Sequence, residues 1–280
     1  MSSHRTPKAA SSGPHSKEGK SMDSFQGKTV LLTGASVGIG KCFAEQLAEK
    51  KANLILVARR EDKMRVLADE LTRRHGIKVD VIAKDLSHPS APKELFEETT
   101  RRGLQVDVLI NNAGFGIGGA FLDATLERNL EMIQLNITTL TELTYRYLPG
   151  MVERKSGAVI NVASTASFQA VPYLGTYSAT KAFVLSFSEA LWEEYRHHNV
   201  TVMALCPGTT ATEFFDVAGV KERTAMQTPD DVVRTALRGL KAKRSHIISG
   251  MTNYLMAQSN RLVPREIGTR IAGSLFKPEK

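Results

Sequence analysis

Short runs of β-branched and aliphatic residues recur along this chain, and helical patterns fill the intervals between them. Lys28–Thr33, Asn53–Ala58, Lys78–Ala83, Val106–Asn111, Gly157–Val162 and Thr201–Cys206 read as strands, with His246–Ser249 as a last short one. Most of these runs are apolar on both faces, so neither face of the resulting sheet can be left in water. Strands of that kind, joined by helices, require a parallel sheet covered on both sides. The helical intervals supply the cover. After the second strand, Met64, Leu67, Ala68 and Leu71 fall at i, i+3, i+4 and i+7, one stripe of an amphipathic helix. The prediction is an α/β fold: a doubly wound parallel sheet in three α/β/α layers, as a single domain over residues 25–250. A chain of 280 residues with 42% hydrophobic content can build one core of that size.

The two ends read differently. Residues 1–24 are rich in Ser, Pro, Gly and Lys with no apolar stretch, which predicts a disordered tail and excludes a secretory signal. Residues 251–280 mix apolar and basic side chains and are expected to pack on the same domain, as a lid, an oligomer contact or a membrane-surface helix. The formal net charge is +8, and residues 221–280 alone contribute +7. That basicity fits either a solvated surface or a landing site for an anionic substrate carrier or lipid. No nucleic-acid recognition module accompanies it. No apolar run reaches membrane-spanning length, so no transmembrane segment is expected. Cys42 and Cys206 lack ligand spacing and fall in predicted core elements, as reduced thiols of a cytoplasmic protein would. The scattered histidines show no paired-ligand spacing, so no metal is predicted.

Between the first strand and the first helix lies Thr33-Gly34-Ala35-Ser36-Val37-Gly38-Ile39-Gly40. Glycines there let the backbone approach a pyrophosphate, which the helix N-terminus attracts, so the fold is predicted to be Rossmann-type. A second constellation follows at Tyr177 and Lys181, with Ser164 thirteen residues before the tyrosine. On one helix an i,i+4 pair shares a face. Free tyrosine titrates near pH ~10. A lysine ammonium beside it favours phenolate and lowers that value, which makes a usable acid and base.

Together these motifs resemble the classical short-chain dehydrogenase/reductase family. Its TGxxxGIG loop is matched at residues 33–40, its NNAG at Asn111-Asn112-Ala113-Gly114 and its active-site Asn at Asn136. Its Ser is matched at Ser164, its YxxxK at Tyr177 and Lys181, and its Pro-Gly motif at Pro207-Gly208 with Thr212. The resemblance implies cofactor contacts from Gly34, Ser36, Gly38, Ile39, Gly40, Asn112, Ala113, Gly114, Tyr177, Lys181, Pro207, Gly208 and Thr212. It also implies an adenine-contacting pair at Asp85-Leu86, and a water on Asn136 that links Lys181 to solvent. The second strand ends in Arg59-Arg60 rather than in an acid, which points to the 2′-phosphate of NADP(H) in preference to NAD(H).

The expected activity is reduction of a carbonyl to an alcohol, or the reverse, on a small-molecule substrate. Ser164 would polarise the substrate oxygen and Tyr177 would exchange its proton. Phe168 and Phe214 stand where apolar substrate walls would be, a position core packing explains equally well. The nearest alternative is a 3-oxoacyl reductase acting on carrier-protein or coenzyme A thioesters, with Lys241, Lys243 and Arg244 receiving the carrier. A cofactor-sensing regulator is disfavoured because all four catalytic positions are present. The resemblance also implies a homodimer or homotetramer built on the helices around 127–148 and 176–198.

Overall fold

The computed structural model describes residues 24–214, 218 and 226–277; the expected tail, apart from Ser24, lies outside them. Seven strands form one parallel sheet: β1 (Thr29–Thr33), β2 (Asn53–Ala58), β3 (Val79–Ala83), β4 (Val108–Asn111), β5 (Gly157–Val162), β6 (Val200–Cys206) and β7 (His246–Ile248). Their spatial order is β3-β2-β1-β4-β5-β6-β7. The chain enters at β1, winds outward to β3, then returns to β4 beside β1 and winds the other way. Such a reversal leaves a crevice at the carboxyl ends of β1 and β4, where doubly wound sheets bind their ligands.

Alternation along each strand builds the layers. Val30, Leu32, Leu54, Leu56, Val108, Ile110 and Ile160 face one way, under α1 (Gly38–Glu49), α2 (Glu61–His75) and α7 (Pro229–Lys241). Leu31, Ile55, Val57, Leu109, Val159 and Val202 face the other way. That second face is covered by α3 (Ala91–Arg101) and α5 (Leu140–Glu153), with Leu191 and Tyr195 of α6 (Gly175–Tyr195) at its margin. Each such side chain contributes about 1.5–3 kcal/mol by leaving water, which makes the strand register costly to slip.

The long helix expected over Glu127–Leu148 is interrupted. It consists of α4 (Leu126–Ile133), a π turn over Gln134–Thr139, and then α5. The wide turn carries Asn136, whose buried amide is held by groups outside the helix. Insertions of this kind concentrate at functional sites.

Because every strand is parallel, the sheet has two chemically distinct edges. The segments after Thr33, Ala58, Ala83, Asn111, Val162 and Cys206 all emerge on the carboxyl edge. Lys241, Lys243 and Arg244 precede β7 and therefore sit at the opposite, amino edge, where Lys243 Nζ donates to Asn199 Oδ1 at 3.1 Å. The expectation that this trio receives a substrate carrier is thereby corrected. Past β7, α8 (Met251–Ser259) carries no basic residue; those of this end are Arg261 in the turn before α9 (Arg265–Phe276), Arg265 and Arg270 within α9, and Lys277 just after it. A Cβ added at Gly273 of α9 would lie 3.3 Å from Pro172, so this helix covers the segment leading into α6. Among the described residues, no helix is long and apolar enough to cross a membrane. Cys206 is buried in β6, whereas Cys42 is only half-buried, with Gln46 Nε2 3.7 Å from its sulfur.

Candidate active site

The glycine loop is shaped by close backbone approach. Gly34 and Gly38 have φ of +65° and +54°, which a side chain would strain. A Cβ at Gly40 would sit 2.1 Å from the Gly34 carbonyl oxygen, so only glycine lets α1 begin so near the loop. The neighbouring β4 end is tied to it. Thr33 Oγ1 accepts from the backbone N–H groups of Asn112 and Ala113, each at 2.9 Å. Asn112 Nδ2 donates to Thr33 O at 3.0 Å and Gly34 O at 3.1 Å. The Asn112 side chain therefore fastens the two loops together.

α1 starts at Gly38 with no side-chain cap and no acidic residue in its first turn. Its leading N–H groups are thus available to an anion, and the helix dipole favours one there. Ser36, Val37, Gly38 and Thr212 line a cleft of about 560 Å³ in front of this end. An uncapped helix start, a glycine cradle and an adjoining cleft at the switch point fit a dinucleotide. At the tip of β2, Arg60 reaches across the cleft: its Nη2 lies 3.4 Å from Ser36 Oγ and its Nη1 donates to Glu213 Oε2 at 3.0 Å. Arg59 is more exposed and pairs with Asp85 at 3.9 Å. Leu86 is a core residue, and its carbonyl accepts from Thr139 Oγ1 at 2.7 Å.

Ser164, Tyr177, Lys181 and Asn136 converge at the carboxyl end of β5. Ser164 follows the strand, and its side chain accepts from Ala166 N–H at 3.1 Å while standing close enough to Tyr177 to influence its phenol. Tyr177 and Lys181 share a buried face of α6, with Nζ 5.7 Å from the tyrosine ring centroid. Lys181 Nζ donates to Val162 O at 2.8 Å. Asn136 accepts from Phe115 N–H at 3.2 Å and donates to Phe115 O at 3.0 Å and Thr180 Oγ1 at 3.1 Å. Its amide thus clamps the loop after β4 against α6. A Cβ at Gly114 would lie 2.8 Å from Asn136 Oδ1 and 3.5 Å from Lys181 Nζ, so this glycine keeps the corner open.

The protonation pattern corrects one expectation. Burial pushes the Tyr177 phenol up to about 12, against a smaller downward pull from the Ser164 hydroxyl. Burial brings Lys181 down to about 8, partly opposed by the Cys206 thiol. The net position of Tyr177 is therefore raised rather than lowered, because burial is the largest influence on it and the Lys181 ammonium is directed at the Val162 carbonyl. At neutral pH the tyrosine holds its proton and the lysine its charge, the state needed to donate a proton.

The wall around Tyr177 was only partly legible. Phe214 packs on the tyrosine ring at 5.3 Å between centroids, as expected. Phe168 does not join it: at the end of a 3₁₀ turn it packs towards β7, 6.1 Å from His246. The Tyr177 cluster instead contains Phe115, Met132, Val171 and Leu174, with Phe276 of α9 against it. These lie on four separate segments, and no local pattern marks them. Glu213 was missed too, although it follows directly on Thr212. Trp192 is distant from this corner, donating to Lys243 O at 2.8 Å.

The family profile described as short chain dehydrogenase matches residues 28–222. The chain belongs to the short-chain dehydrogenase/reductase family. It is 32% identical to a very-long-chain 3-oxoacyl-CoA reductase of Macaca fascicularis, over 80% of this chain and 74% of that protein. It is 33% identical to a 7beta-hydroxysteroid dehydrogenase of Mediterraneibacter gnavus, over 81% of this chain and 88% of that one. Among solved structures it is similar to a short-chain dehydrogenase from Sphingobium yanoikuyae in complex with NADPH. The TM-score is 0.78 at 32% identity, covering 90% of this chain and 96% of that chain. This short-chain dehydrogenase/reductase is thus an oxidoreductase that uses a nicotinamide cofactor to interconvert carbonyl and alcohol groups.

Proposed function

We propose that the enzyme is an NADP(H)-dependent reductase of bulky, apolar ketones, with Ser164, Tyr177, Lys181 and Asn136 as its catalytic set. The observation that carries the catalytic assignment is the convergence of these four groups at one corner, where Lys181 Nζ lies 5.7 Å from the Tyr177 ring centroid, Asn136 is bonded to Thr180 of the same helix, and the tyrosine ring packs in an apolar wall. A bound nicotinamide supplies or accepts the hydride. Ser164 donates a hydrogen bond to the substrate oxygen and stabilises the charge that develops on it. Tyr177 delivers its proton to that same oxygen, or removes it in the reverse direction. Lys181 holds a positive charge beside the phenol and so favours the phenolate left behind. Asn136 fixes the loop that bounds the site through both Phe115 backbone groups.

Gly34, Gly38, Ile39 and Gly40, with the start of α1, would hold the pyrophosphate; Ala113, Gly114, Pro207, Gly208 and Thr212 would border the rest of the cofactor. Arg60 beside Ser36 supports the 2′-phosphate reading, in keeping with the NADPH complex of the Sphingobium relative. The aromatic and aliphatic wall around Tyr177 supports a large apolar substrate, and the relatives' names include both a fatty acyl thioester and a steroid. Exposed Phe121, Leu122, Leu126 and Leu130, at and before α4, support a homodimer or homotetramer that covers them.

The test is NADPH and NADH oxidation against small ketones, 3-oxoacyl-CoA thioesters of increasing chain length and oxo-steroids. The reading expects NADPH to be preferred and kcat/KM to rise with apolar bulk. Equal use of acetone-sized and bulky ketones refutes the substrate class. Arg60→Asp should move preference towards NADH, and an unchanged cofactor ratio refutes the 2′-phosphate role.

A further inference from the structure

We propose that Glu213 is a cofactor-selectivity residue whose carboxylate occupies the cationic fork that a ribose 2′-phosphate must take. The inference rests on reading Arg60 and Ser36 as 2′-phosphate donors. Both terminal nitrogens of Arg60 donate to one oxygen, Glu213 Oε2, at 3.0 and 3.1 Å. Lys63 Nζ approaches the other oxygen, Oε1, at 3.8 Å. Each oxygen of this one carboxylate therefore faces a cation, and Arg60 lies 3.4 Å from the Ser36 hydroxyl at the same point. A guanidinium presents the same planar fork to a carboxylate and to a phosphate monoester, so the two compete for it.

The chain arrangement gives the competition its direction. Arg60 and Lys63 come from the end of β2 and the start of α2, while Glu213 comes from the loop after β6. That loop is the facing lip of the cleft: Ala211, Thr212 and Glu213 line it opposite Ser36, Val37, Gly38 and Lys63. A nucleotide with a free 2′-hydroxyl brings no charge to this point and leaves the pair across the cleft intact. One with a 2′-phosphate has to break it. Glu213 thus lowers the advantage that Arg60 gives a phosphorylated cofactor. The pair is half in water, Arg60 40% and Glu213 49% exposed. An exposed pair of this kind accounts for about a two- to fivefold change in affinity.

The experiment is calorimetric titration of adenosine 2′,5′-bisphosphate and of 5′-AMP into the wild type, Glu213→Gln, Arg60→Gln and the double variant, with thermal melts to show that each is folded. Glu213→Gln should tighten the bisphosphate about two- to fivefold and leave 5′-AMP unchanged. That gain should shrink when Arg60 is already glutamine. With a wild type that prefers the bisphosphate, an unchanged or weakened bisphosphate affinity in Glu213→Gln overturns the role of Glu213 alone. Equal tightening of both probes overturns it as well, since the effect would then be general charge. A wild type that binds both probes equally overturns the 2′-phosphate reading itself.

Discussion

Replacing Lys181 with methionine should remove activity and yet stabilise the fold at neutral pH, by an amount that depends on pH in a specific way. The ammonium is buried beneath the catalytic corner, where burial brings its pKa from 10.5 to about 8. At about 1.4 kcal/mol for each pH unit, that displacement corresponds to roughly 3 kcal/mol opposing the charged, folded state. Methionine fills similar space without the charge, but it leaves the Val162 carbonyl without the ammonium it now accepts from, a loss of about 1–3 kcal/mol. The net gain at pH 7 is therefore small, about 1 kcal/mol.

The pH dependence is the sharper quantity. A depressed lysine pKa means that between pH 8 and 10.5 the unfolded chain binds one proton more at Lys181 than the folded protein does. Wild-type stability then rises with pH in that window relative to the variant, by about 1.4 kcal/mol per unit. Below pH 8 both states hold the proton and the difference between the two proteins is flat. Tyr177, raised to about 12 in the fold, contributes its own dependence near pH 10 to both proteins alike and cancels in the difference between them. Urea unfolding followed by the fluorescence of Trp192, the only tryptophan, at half-unit steps from pH 7 to 10 measures the difference. A variant-minus-wild-type difference that stays constant from pH 7.5 to 10 would refute the claim that burial, rather than the Val162 bond, governs this lysine.

Three further perturbations follow from the geometry. Tyr177→Phe keeps the ring packed against Phe214 but has no proton to give, so kcat should fall about a thousandfold while calorimetric affinity for the nucleotide persists; activity within tenfold of wild type would sink the assignment. Gly40→Ala places a methyl 2.1 Å from the Gly34 carbonyl, which cannot yield without moving the loop. Thermal melts should show a loss of about 3 kcal/mol or more, and a melting point within a degree of wild type would contradict so close an approach of α1 to the loop. Reversing Lys241, Lys243 and Arg244 to Glu should leave 3-oxoacyl-CoA reduction unaltered, because these side chains lie at the amino edge of the sheet; a selective loss of thioester kcat/KM would place the carrier there after all.

The sequence by itself determined the layers, the strands to within two residues and the identity of the converging polar groups. It could do so because those signals are local or positional. Apolar runs such as Asn53–Ala58 record burial on both faces, and Gly34 and Gly38 record backbone turns that favour glycine. The order of Ser164, Tyr177 and Lys181 followed a family pattern over most of the chain.

Only tertiary structure decided the rest. One predicted helix became α4, a π turn and α5, because Asn136 is held by Phe115 and Thr180 from elements 21 and 44 residues away. Phe115 stands at the wall and Phe168 does not, since the direction of a side chain leaving a loop is set by what packs behind it. The Tyr177 and Lys181 pKa values moved apart for a similar reason. Spacing on a helix shows that two groups share a face, but burial and the Val162 carbonyl determine which charge that face can hold. The pairing of Arg60 with Glu213 spans 153 residues and exists only because two loops form opposite lips of one cleft.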